Sequence, residues 1–282
     1  MFTKKLGKSI GIEIRDLDTT IDLSEKLKYK ISEMLSEYSI VVIRNQNITN
    51  DEHIKFSENF GALELTKVGT DGSGSKLIIL RNFDEEGKIV PSTDRQRLNN
   101  LANQEWHSDS SFKKIPSKMS ILSAKIIPSI GGNTEFLSMR ASYNALPHDL
   151  KLKIDDKVCW HDYSHGRSKI DPNLVTPEEK QALPPVKQKL VLGNNKHGKS
   201  LYLGAHCRNV DGMSDNDSKD LLAEINSYID HEKFVYSHVW EPYDLIMWDN
   251  RAVLHRATPV KGKIEKRLMV RTTIAGVSST LN

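Results

Sequence analysis

Two histidines, one aspartate and two arginines in this chain stand at spacings that suit metal and anion chemistry. His107 and Asp109 sit two residues apart in the stretch Asn103-Gln104-Glu105-Trp106-His107-Ser108-Asp109. In extended chain such residues point to the same side, so an imidazole and a carboxylate can converge there on one metal ion. An isolated H-x-D is a weak signal, because the same pair serves as well on a solvated strand. A third ligand must come from elsewhere, and His255 offers itself in Asn250-Arg251-Ala252-Val253-Leu254-His255, near an expected strand-to-turn junction. Two imidazoles and a carboxylate leave three coordination positions open, which iron(II) can give to a bidentate keto acid and to dioxygen. The same set with one bound water also fits a zinc hydrolase.

Arg267, Met269 and Arg271 alternate with Leu268 and Val270. On a strand the first three share one face, which is either solvent or a pocket. Inward-facing guanidiniums each need an anion, since an unpaired buried charge is costly and the planar fork matches a carboxylate. Their Cα atoms would lie about 13 Å apart, far enough to serve two different anions. One is expected to be the distal carboxylate of 2-oxoglutarate, the other an acidic substrate. A zinc hydrolase would leave Arg267 without a task.

One domain, mainly β with peripheral α-helices, is expected to position these groups. Leu23, Leu27, Ile31 and Leu35 lay an apolar stripe along a helix after Asp22. The β-branched run 39–44 reads as a strand covered on both faces. Thr49 and Glu52 make a capping box for a helix that turns Phe56 and Phe60 inward before Gly61. Strands are expected at 77–80, 119–126, 134–137, 234–239, 244–248 and 268–275, helices at 138–146 and 214–231, and a turn at Gly131-Gly132-Asn133. Residues 84–104 are polar with little periodicity and read as a long loop, a lid over a site. Across 160–187, Gly166, Pro172, Pro177, Pro184 and Pro185 argue for irregular chain and a second lid, from which His165 or Arg167 reaches substrate. His206 reads as a core residue, and His53 and His238 as surface or structural ones. Many short strands with few helices point to a β-sandwich or jelly roll.

A net charge of +3 among 40 basic and 37 acidic residues, spread along the chain, disfavours nucleic acid as a partner. No apolar run approaches the roughly 18 residues that span a bilayer, so no membrane partner is expected. Cys159 and Cys207 form neither a zinc spacing nor a disulfide framework, which suits the reducing cytoplasm.

The stretches WHSDSSF (106–112), GGNTEF (131–136), KSLYLGAH (199–206), DLIMWDNRAVLHRATP (244–259) and RLMVRTTIAG (267–276) together resemble the TauD/TfdA family of dioxygenases, its 2,4-dichlorophenoxyacetate branch more than its taurine branch. The resemblance covers nearly the whole chain. It implies a double-stranded β-helix (jelly roll) holding iron(II) through His107, Asp109 and His255, with 2-oxoglutarate and O2 as cosubstrates. It implies that Thr134 assists Arg267 with the distal carboxylate of 2-oxoglutarate, that Arg271 meets the acidic group of a small anionic organic substrate, and that Asn103 lies near that substrate. The keto acid would leave as succinate and carbon dioxide. The substrate would be an aryloxyalkanoate or similar carboxylate, or else a sulfonate or alkyl sulfate ester. Between Leu65 and Lys76 the taurine branch would place a substrate-contacting histidine, and this chain has none. Relatives also imply a homo-oligomer, a dimer or tetramer.

Overall fold

The central strand Leu245–Asp249 is buried along its whole length, and alternation along it assigns each neighbour a layer. Leu245 and Met247 pack under the helices Glu25–Tyr38 and Asn50–Glu58 with Ile31, Leu35 and Phe56. Ile246 and Trp248 point the other way, into a core with Phe136, Val253 and Met269. A side-chain period of two thus fixes both faces of the strand at once. The computed structural model describes residues 2–66, 74–193, 196–229, 231–262 and 264–282.

The strand belongs to a seven-stranded sheet, where it lies antiparallel between Ile40–Ile43 and Met119–Ile126. Leu268–Ile274 pairs next to Met119–Ile126, and Ile78–Arg81 closes that edge. Facing it is a smaller sheet in the order Val235–His238, Thr134–Ser138, Val253–Ala257. The two sheets form the jelly-roll core. A third cluster, including Leu137, Leu254, Cys159 and Ile225, covers the outer face of the small sheet with chain from 139 to 229.

Most local expectations hold. Ile40–Ile43 is buried throughout, and the Thr49–Glu52 capping box is formed in both directions. The first helix starts later than Asp22, at the N-cap Ser24, whose hydroxyl accepts from the Leu27 amide. Three readings are corrected. Residues 84–104 are not loop throughout: Arg95–Ala102 is a helix capped by Asp94, too short and polar for its period to stand out. Residues 160–187 are not irregular chain. Strand Val158–His161 pairs with Val186–Lys189 and Cys207–Val210, and short helices run over Tyr163–Arg167 and Pro177–Ala182. Pro177 starts its helix, because a first-turn proline lacks only an N–H that would have no partner there. His255, placed near a strand-to-turn junction, lies in the middle of strand Val253–Ala257. The histidine-free segment 65–76 lies partly outside the described residues, at 67–73.

Candidate active site

His107 and His255 are brought together by backbone pairing. Each donates its amide to the other's carbonyl, at 3.1 and 2.9 Å, in an isolated antiparallel bridge that extends the small sheet. Paired residues of this type project to the same face, and the imidazole centroids are 4.2 Å apart. Asp109 follows two residues after His107, where the chain turns through Ser110 in the left-handed region (φ 55°). Its carboxylate oxygens lie 4.0 Å from His107 Nε2 and 3.7 Å from His255 Nε2. All three side chains are buried, and one donor atom from each lies within 4.8 Å of the others.

Their protonation suits a cation. Burial lowers both imidazoles below their ordinary range, so each is neutral with a lone pair to offer. The Glu105 carbonyl, 2.7 Å from His107 Nδ1, accepts the ring N–H there and leaves Nε2, on the side of Asp109, with the lone pair a metal needs. Burial alone would raise the Asp109 carboxyl, but the Arg271 guanidinium, with help from the Ser120 hydroxyl, holds the group well below the usual carboxylate range. Arg271 Nη1 donates to Asp109 Oδ1 at 2.5 Å. Ser120 Oγ donates to Oδ2 at 2.7 Å, and Asn250 Nδ2 donates to Ser120 at 3.0 Å and to Ser117 at 2.8 Å. Trp248 Nε1 in turn fixes the Asn250 amide at 2.8 Å.

A cavity of about 670 Å³ opens from the two histidines and is lined by Thr134, Arg267, Arg271 and Asn103. Arg267 is anchored by its edges. Its amide donates to Asn82 Oδ1 at 2.8 Å, and its Nε donates to the Gly132 carbonyl at 3.1 Å. It makes no ion pair among the described residues, and burial pushes its guanidinium down to about 10. Thr134 Oγ1 accepts from Trp240 Nε1 at 3.2 Å, which leaves its own proton to donate. A second cavity of about 330 Å³ lies beyond Asn103 and Arg271, bounded by Asp109, Phe112, Arg167 and His206.

The structure therefore gathers all seven expected site residues around two connected hollows. Arg271, expected to meet the acidic group of the substrate, lines both hollows and also touches Asp109. Sequence reasoning missed Ser120, Asn250 and Ser117, which no motif spacing marks. His206, expected to support the core, is buried, and its ring also lines the second cavity, 6.2 Å from the His107 ring and 4.9 Å from that of Phe112. The signal available was its position at the end of KSLYLGAH.

The sequence profile of the family described as taurine catabolism dioxygenase TauD, TfdA family matches residues 3–273. The chain belongs to the TauD/TfdA family. Among its relatives is the alpha-ketoglutarate-dependent 2,4-dichlorophenoxyacetate dioxygenase of Cupriavidus pinatubonensis, 36% identical over 93% of this chain and 93% of that protein. Another is the (S)-phenoxypropionate/alpha-ketoglutarate-dioxygenase of Sphingobium herbicidovorans, 27% identical over 94% and 90%. The crystal structure of AAD-2 in complex with Mn(II) and N-oxalylglycine superimposes with a TM-score of 0.90, at 36% identity over 99% of this chain and 100% of that one. As a TauD/TfdA protein the chain is a dioxygenase dependent on alpha-ketoglutarate, which is 2-oxoglutarate, and on iron and O2. Its own residues fit those groups: two neutral imidazoles beside an ionised carboxylate for the metal, and an anion-free guanidinium beside a free hydroxyl proton for the keto acid.

Proposed function

We propose that His107, Asp109 and His255 hold iron(II), that Arg267 and Thr134 hold the distal carboxylate of 2-oxoglutarate in the larger cavity, and that the enzyme hydroxylates a small organic anion, an aryloxyalkanoate or similar carboxylate, lodged between Asn103, Arg271 and the second cavity. The observation that carries this is Arg267, a half-buried guanidinium without a carboxylate, on the same cavity wall as the two histidines. When bound, the iron with 2-oxoglutarate and O2 supplies the oxidising power for attack on a C–H bond as the keto acid becomes succinate and carbon dioxide. The chain's own residues do the rest. Arg267 and Thr134 fix one end of the keto acid and so orient the other toward the histidines. Arg271 and Ser120 hold Asp109 ionised and in one pose. Leu80, Ile89, Val90 and Leu101 line the larger cavity with apolar surface that limits water.

The substrate class rests on the aryloxyalkanoate relatives and on the cationic second cavity. Cys159 and Cys207, both free and buried, support a reducing cytoplasm, and among the described residues no helix is long and apolar enough to cross a membrane. One domain spanning residues 1–282, with lids around 84–104 and 160–187, and a dimer or tetramer complete the reading. Oxygen consumption dependent on 2-oxoglutarate, screened against carboxylates, sulfonates and sulfate esters with His107→Ala as control, tests it. Stimulation by an aryloxyacetate with release of the phenol is the expected result. Stimulation by sulfate esters alone, with sulfate released, would replace the carboxylate by that second substrate class.

A further inference from the structure

A threonine hydroxyl carries one proton and two lone pairs, so what it turns toward a cavity decides whether it can hold an anion. Thr134 is buried in the middle strand of the small sheet, paired with His238 on one side and Ala257 on the other, which fixes its backbone from both edges. Its side chain is fixed from behind. Trp240 Nε1 lies 3.2 Å from Oγ1, and an indole nitrogen can only donate. One lone pair of the hydroxyl is therefore occupied on the side away from the cavity. Among the described residues no other group bonds to that oxygen, so its proton is left for the cavity that Thr134 lines.

Trp240 is not part of the cavity wall. It stands behind it, buried, in a mount of charged and polar groups. Its ring meets that of His238 edge to face, with centroids 4.7 Å apart and planes at 82°. His238 is itself fully buried and held at both nitrogens, with Nε2 2.8 Å from Asp244 Oδ2 and Nδ1 2.9 Å from the Tyr236 hydroxyl. The same Asp244 oxygen accepts from Arg44 Nη1 at 2.6 Å and from the Glu241 amide at 2.9 Å, which closes the turn that follows Trp240. Arg44 Nε in turn donates to the buried Glu13 at 2.9 Å. A connected network of this kind holds the indole in one pose before any ligand arrives.

We propose that Trp240 is a positioning residue for the keto acid: its N–H sets the Thr134 hydroxyl as a donor toward the distal carboxylate. This rests on the assignment of Thr134 and Arg267 to that carboxylate made above and deepens it. Loss of a neutral hydrogen bond weakens binding by about 2- to 10-fold, and loss of one made to a charged group by about 10- to 100-fold.

The test is calorimetric titration of two keto acids into anaerobic protein loaded with Mn(II): 2-oxoglutarate, and 2-oxopentanoate, in which a methyl replaces the distal carboxylate. Trp240→Phe keeps an aromatic ring against His238 and removes the donor. It should weaken 2-oxoglutarate about 2- to 10-fold and leave 2-oxopentanoate unchanged. Thr134→Val should weaken 2-oxoglutarate about 10- to 100-fold, and adding Trp240→Phe to it should cost nothing more, since both act through one hydroxyl. Should the phenylalanine variant fail to fold, 3-benzothienylalanine at position 240, which keeps the bicyclic ring without the N–H, should give the same result. No loss on removing the donor, a loss shared equally by both keto acids, or a loss of full size beside Thr134→Val overturns the role of Trp240 and leaves Thr134 in place. Unchanged 2-oxoglutarate affinity in Thr134→Val overturns the assignment of Thr134 and the role of Trp240 together.

Discussion

Asp109 serves three partners with two oxygens: a guanidinium, a serine hydroxyl and the space between two imidazoles. A carboxylate so placed keeps its charge only because Arg271 and the polar groups around it offset burial. Ser120 matters here because its hydroxyl accepts from Asn250 and donates to Asp109, which carries the order of Trp248 and Asn250 through to the ligand. Ser120→Ala should lower affinity for Mn(II) by about 10- to 100-fold, the usual range for losing a group that orients a metal ligand, with little change in thermal unfolding of the metal-free protein. A metal titration monitored by tryptophan fluorescence or calorimetry reads it. At this scale the sequence disclosed the residues whose chemistry is rare, His107, Asp109, His255 and Arg267. It could not disclose Ser120 or Asn250. Serine and asparagine are common everywhere, and what distinguishes these is a contact across more than a hundred residues of chain, such as the 130 between Asn250 and Ser120.

Among the elements, the turn Gly131-Gly132-Asn133 links strand chemistry to ligand chemistry. Gly132 has φ +67°, its carbonyl accepts from Arg267, and a Cβ there would meet Pro128 Cγ at 2.7 Å and Arg267 Cδ at 3.2 Å. Gly132→Ala should therefore cost about 1–3 kcal/mol in urea unfolding and raise the KM for 2-oxoglutarate about tenfold by displacing the guanidinium, while Mn(II) affinity stays unchanged. Unfolding curves and steady-state kinetics separate the two effects. The strands and helices with a strong apolar period were legible, as Leu27, Ile31 and Leu35 show. Strand Val253–Ala257 was not, because Arg251 and Arg256 interrupt an already short run. The helices Arg95–Ala102 and Tyr163–Arg167 were hidden for a similar reason: they are held by capping and by tertiary contacts, with few apolar positions of their own. Both carry residues of the second cavity, so the least legible elements are those that shape the substrate site.

For the molecule as a whole, two helices, two sheets and a covering insertion enclose the site between apolar layers, and several histidines are buried as neutral groups in the process. Burial lowers His53 to about 3 and His161 to about 4. The unfolded chain takes up a proton at each near pH 6.5 while the folded chain does not. Unfolding thus binds protons, and stability contributed by these sites is intact above pH 6.5 and falls as the pH drops toward 4. By pH 5 the loss should be about 2 kcal/mol for each histidine, seen as a lower urea midpoint, and His53→Gln should flatten the slope. The central claim concerns the site these layers enclose: one metal and one 2-oxoglutarate, held together by His107, Asp109, His255 and Arg267. Anaerobic absorption spectroscopy of protein carrying one iron(II) reads it directly. Addition of 2-oxoglutarate should produce a weak visible charge-transfer band, absent in His255→Ala and displaced to about 10- to 100-fold higher 2-oxoglutarate concentration in Arg267→Met. Iron-loaded wild-type protein that gives no band, or a band that titrates identically in both variants, would contradict it.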